Sequence, residues 1–113
     1  GDLGTGKTTF IKKLARGLGV KQRVTSPTFL LRREMKLPAK SAFRKFYHFD
    51  LYRLKSRKEI KSLDIKEVFD DPQNVVAIEW ANKAVFIMPK ETIWIRFSHG
   101  RCANERNLTF NRR

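Results

Sequence analysis

A mixed α/β fold is what the 113 residues predict, and three observations predict it. The chain opens on GDLGTGKTTF, residues 1–10, and passes directly into apolar residues at helical spacing. NVVAIEW, residues 74–80, is an uninterrupted apolar run closing on an acid, the pattern of a central strand buried on both faces. Two β-rich runs, ETIWIRFSH and ERNLTF, follow at the tail and add an antiparallel pair to a chain that otherwise alternates strand and helix.

Each element has its own signal. Phe10, Ile11, Leu14, Ala15 and Leu18 recur at helical spacing, with Lys12, Lys13 and Arg16 on the opposite side and Gly19 as the stop. Residues 23–36, RVTSPTFLLRREMK, predict a loop around Pro27 and then a strand, and residues 37–42 a turn at Pro38. FRKFYHFDLYRL, residues 43–54, alternates: Tyr47, Phe49 and Leu51 share one face, Phe46, His48, Asp50 and Tyr52 the other. From Ser56 to Asp70 the pattern predicts two short helices broken near Leu63-Asp64-Ile65, followed by a turn at Asp71-Pro72-Gln73-Asn74. The two tail strands predict a hairpin around Gly100.

The bulk properties narrow the function classes. The length suits one domain, residues 1–113, and 41% apolar residues suffice to fold it. The apolar runs are a few residues long, whereas a membrane helix needs about 20. The glycine-rich polar start does not resemble a secretory leader. The single cysteine, Cys102, makes no internal disulfide, so a reduced, cytoplasmic setting is expected. Cys102 with His48 and His99 gives no zinc spacing. A net charge of +14, with 10 basic residues against 2 acidic in residues 1–40, attracts polyanions.

The opening stretch fits G-x-x-x-x-G-K-[ST], with Gly1, Gly6, Lys7 and Thr8 in the fixed places. The amides of such a turn form an anion nest, and the helix behind it adds its positive end. Glycines permit the backbone angles, Lys7 can reach the β- and γ-phosphates, and the Thr8 hydroxyl can ligate Mg²⁺. Phosphoryl transfer also needs an acid for the metal and a group that aims the attacking water. In open α/β sheets both belong beyond the carboxyl ends of strands. Asp50 and Glu79 stand at two such ends and are the candidate catalytic acids.

In this order and at these spacings, GDLGTGKTTF, TSPTF at 25–29, HFDLYRL at 48–54 and IEW at 78–80 resemble the TsaE (YjeE) family of small bacterial ATPases. The resemblance covers nearly the whole chain. It implies a P-loop NTPase-like α/β domain with a mixed central sheet, ATP and Mg²⁺ as ligands, weak ATP hydrolysis, and association with the TsaD–TsaB complex that makes threonylcarbamoyladenosine in tRNA. Hydrolysis would reset that complex between rounds, with tRNA met through the complex. By position, Gly1, Gly4, Thr5, Gly6, Lys7, Thr8 and Thr9 match the phosphate cradle. The segment Thr25, Ser26, Pro27, Thr28 and Phe29 matches one that faces the γ-phosphate, with Thr28 the contact. Asp50 matches the acid that orients or deprotonates water, Glu79 a metal-linked acid, and Trp80 the aromatic beside it.

The chain also departs from the family pattern. Ala81-Asn82 stands where Pro-Glu is usual, and Asp64 where glycine is common. About thirty residues that would precede the loop, including a helix and the strand leading into Gly1, are expected from the resemblance. A chain starting at Gly1 is therefore expected to bind ATP more weakly than an extended one. Two rival readings are a small P-loop kinase, with Arg32, Arg33 and Arg53 as lid arginines, and a non-enzymatic RNA-binding module. The second would stack bases on Phe46, Tyr47, Phe49 and Tyr52, interleaved with Arg44, Lys45 and Arg53.

Overall fold

A computed structural model describes residues 7–20, 32–99 and 106–112. The first element is helix α1, Lys7–Gly17. Its apolar stripe buries Ile11 and Ala15 and half-buries Phe10 and Leu18, while Leu14, at the stripe's margin, is exposed. The helix stops through paired backbone bonds: the Val20 amide donates to the Ala15 carbonyl and the Gly19 amide to that of Arg16, both at 3.0 Å. This is the Schellman arrangement, which requires a left-handed residue at its turn. Gly19 supplies it with φ 96°, and a Cβ there would lie 2.9 Å from Cγ of Pro38.

Three strands form the main sheet: β1, Arg32–Lys36; β2, Lys45–Asp50; and β3, Asn74–Glu79. The order is β1-β2-β3, with β1 antiparallel and β3 parallel to β2, so the sheet is mixed as expected. Period-two alternation divides β2 cleanly. Phe46 joins Ile11, Ala15, Val20 and Met35 in a core under α1, with Val75 and Ala77 of β3 packed against it. Tyr47, Phe49 and Leu51 face the other way into a second core.

Two short helices cover that second face: α2, Arg57–Lys61, and α3, Ile65–Phe69. Their boundaries are written locally. Ser56 Oγ accepts from the Glu59 amide at 3.2 Å, the N-cap bond that the sequence S-x-x-E favours, and its hydroxyl donates to the Glu59 carboxylate at 3.2 Å. Asp64 breaks the pair at φ 55°, in the left-handed region, where a short polar side chain is tolerated. Ile60, Ile65 and Val68 are thereby aimed at Phe49, Leu51 and Leu54. A 3-10 helix over Ala81–Ile87 completes this layer through Ala84.

The tail pair is β4, Ile93–His99, antiparallel to β5, Arg106–Arg112, in a separate two-stranded sheet. Phe10 of α1 meets the rings of Phe97 and Phe110 edge-on, with centroids 5.5 and 6.5 Å away, a favourable geometry for aromatic pairs. The pair is thus joined to the core through the helix. Gly100 and Cys102 lie outside the described residues.

One expectation is corrected. Among the described residues β3 is an edge strand, and Val75 to Ile78 are half-buried. The run was read as central and buried on both faces. Its apolar side chains do pack on both faces of the sheet, but β2 is the only neighbour it pairs with among those residues, and an edge position leaves flanks open to water.

Candidate functional site at the strand ends

The orientation of α1 follows from its terminus. Gly19 packs on Pro38, in the turn that leads into β2, so the C-terminal end of the helix sits at the start of that strand. Eleven helical residues span roughly 16 Å, close to the length of a six-residue strand at about 3.3 Å per step. The helix lies against Phe46 and β3. Its N-terminal turn, which holds Lys7 and Thr8, lies at the opposite end of the helix from that contact.

Those ends carry the two acids. Asp50 and Glu79 are register partners across the parallel pair, and both belong to the face that α1 covers. The Leu51 amide donates to the Glu79 carbonyl at 3.1 Å and continues the ladder one step past the strand. Asp50 is half-buried, and its Oδ1 accepts from the Tyr52 amide at 3.0 Å. That bond turns the chain away from the sheet. Glu79 is 6% exposed and His48 is fully buried. His48 Nε2 and Glu79 Oε2 lie 2.7 Å apart, a hydrogen bond in which an ionised carboxylate accepts from the Nε2–H tautomer.

Beyond the acids, Trp80 takes φ 60°, and its ring lies 5.0 Å from that of Tyr52. Lys83 Nζ donates to the Tyr52 carbonyl at 2.5 Å and the Leu54 carbonyl at 2.9 Å, lashing the turn after β2 to the turn after β3. Spacing gave no hint of this lysine clamp, because its partners are main-chain atoms about thirty residues away.

The remaining sequence candidates fall into three groups. Gly1, Gly4, Thr5, Gly6 and Thr28, with the rest of TSPTF, lie outside the described residues. Lys7, Thr8 and Thr9 form the first turn of α1, and Thr9 is exposed. Arg32, offered as a lid arginine, is committed elsewhere. It sits on the face opposite α1, donates to the Leu63 carbonyl at 3.0 Å and covers the Tyr47 and Phe49 rings at 5.2 and 5.8 Å. The stacking platform is likewise corrected: Phe46, Tyr47 and Phe49 are core residues at 0%, 6% and 0% exposure, leaving Tyr52 as the exposed member.

The donor set fits a hard cation. Asp50 and Glu79 offer carboxylate oxygens, the ligand type Mg²⁺ takes. Among the described residues no group of three His, Cys, Asp or Glu side chains is placed to hold a metal unaided. Among those residues, too, no helix is long and apolar enough to cross a membrane.

The fold and the strand ends together define a mixed α/β protein with two acids paired in register at the carboxyl ends of a parallel strand pair, on the sheet face that α1 packs against. The family model for "Threonylcarbamoyl adenosine biosynthesis protein TsaE" matches residues 1–108, and the chain belongs to that family. The TsaE protein of Haemophilus influenzae is 35% identical over 88% of this chain and 60% of its own. That of Bacillus subtilis is 39% identical over 97% of this chain and 65% of its own. The crystal structure of Bacillus subtilis YdiB superposes with a TM-score of 0.67 at 30% identity, over 96% of this chain and 62% of that one. The chain thus spans about 60–65% of the length of these relatives.

Proposed function

We propose that this chain binds ATP with Mg²⁺ and hydrolyses it slowly, as the cytoplasmic accessory of threonylcarbamoyladenosine formation in tRNA, working with a TsaD–TsaB complex. The observation that carries the reading is the register pairing of Asp50 with Glu79 on the face covered by α1. Gly1 to Thr9 would cradle the phosphates, with Lys7 neutralising the β- and γ-groups and Thr28 touching the γ-phosphate. Thr8 and Glu79 would hold the ion, which supplies charge neutralisation at the transferring phosphoryl group. Asp50, fixed by its bond to the Tyr52 amide, would orient the attacking water and receive its proton. Burial of Glu79 keeps its carboxylate in one place, which is the condition for electrostatic preorganisation.

Nucleotide-dependent melting and phosphate release test the assignment. Lys7→Ala should abolish most of the ATP-induced rise in melting temperature. Asp50→Ala and Glu79→Ala should keep ATP binding and each lower turnover by about 10²-fold or more. Full hydrolysis in both acid variants would remove the two residues from the mechanism.

A further inference from the structure

We propose that His48 is a positioning residue that sets the Glu79 carboxylate for the reaction, acting through its Nε2 atom; the proposal rests on the ATPase reading above. His48 stands in the middle of β2 on the face under α1, in a row with Phe46, where an apolar side chain would satisfy packing alone. It is instead an imidazole with no exposed surface, and its Nε2 reaches Glu79 Oε2 at 2.7 Å.

The register explains how. The residue opposite His48 on β3 is Ala77, whose methyl leaves room for the ring to lean toward the strand end, where Glu79 lies two residues on. A glutamate has three rotatable side-chain bonds, and at a strand terminus it would sample several rotamers. A bond to a buried, packed ring removes that freedom and points the second carboxylate oxygen in a fixed direction. This is the relation found where an outer partner orients a ligating group and tunes its affinity. His48 Nδ1 is buried with no hydrogen-bond partner among the described residues, so in the described core the ring is anchored through Nε2 alone. A polar atom accepted into the core without a partner is a stability cost, which argues that the ring is kept for what Nε2 does.

The test separates Nε2 from ring packing. In glutamine the side-chain nitrogen stands where Nε2 stands; in asparagine it falls short, near Nδ1; leucine keeps the bulk without a donor. In the intact protein, His48→Gln should retain turnover within about threefold of wild type. His48→Asn and His48→Leu should lose about tenfold or more in kcat. The melting shift with ATP alone should be unchanged in all three. The extra shift on adding Mg²⁺ should shrink in the Asn and Leu variants only. In a Glu79→Ala background, His48→Leu should cost little further turnover.

Wild-type kcat in His48→Asn, or His48→Gln falling as far as His48→Asn, overturns the positioning role. That pair decides the matter even if His48→Leu does not fold. An additive loss in the double variant also overturns it. Failure of the underlying reading looks different: unmutated protein without ATP hydrolysis, or Glu79→Ala with full hydrolysis, removes the reaction itself.

Discussion

The two faces of β2 are built from neighbouring residues of one strand, yet they do different work. Tyr47, Phe49 and Leu51 enter a core closed by α2, α3 and the 3-10 helix. Phe46, His48 and Asp50 run along the face under α1 and change character step by step, from a buried ring to a buried imidazole to a half-buried acid. The first face holds the sheet together and spends nothing on chemistry. The second sacrifices apolar packing toward the strand end to aim polar groups. Because the side-chain period of a strand is two, alternate residues of β2 serve opposite faces.

That contrast can be broken at its strongest point. Phe49→Ala empties a fully buried site and should cost about 3–5 kcal/mol, a fall in melting temperature on the order of 15 °C. Nucleotide turnover per folded molecule should stay near wild type; a matching collapse in turnover would mean that the faces are coupled. A smaller effect is expected at the hinge between α2 and α3. Asp64 is held at φ 55°, so Asp64→Val should lower stability by about 1–2 kcal/mol, whereas Asp64→Gly should be near neutral. Denaturant unfolding of both variants reads the difference.

The smallest effect sharpens the apolar face itself. Tyr47 Oη donates to Glu34 Oε1 at 2.6 Å. That bond holds the Glu34 carboxyl below its usual range and, with burial, pushes the Tyr47 hydroxyl up. Tyr47→Phe should cost about 0.5 kcal/mol near neutral pH, a modest figure because the Glu34 side chain is 43% exposed and screened by water. The lowered carboxyl contributes stability above its unfolded value and loses it as pH falls through the folded one. The raised hydroxyl contributes below its unfolded value and loses it as pH rises through the folded one. The gap between the two proteins should therefore be flat from about pH 5 to about 9 and close outside that window, as measured by urea unfolding across pH.

Much of this was readable from residue types and spacing. The helix behind GKTT, the division of β2 into two faces, the break at Asp64 and the tail pair are all consequences of short-range rules: period, capping and turn chemistry. What escaped was long-range. NVVAIEW looks the same whether its strand has one neighbour or two, so its edge position among the described residues was invisible. Arg32 reads as any surface arginine until the sheet brings Tyr47, Phe49 and the Leu63 carbonyl beneath it. Asp50 and Glu79 were both visible as acids at strand ends. The pairing of His48 with Glu79 was not, because it depends on which residue of β3 stands beside which residue of β2.

The contact between Gly19 and Pro38 works as a fulcrum. Any atom added at Gly19 would press on the proline ring and must pivot a rigid rod whose other end carries Lys7 and Thr8. A substitution at Gly19 would then bear on that first turn without touching it. The proline turn thus bears on where α1 begins as much as the residues of its first turn do.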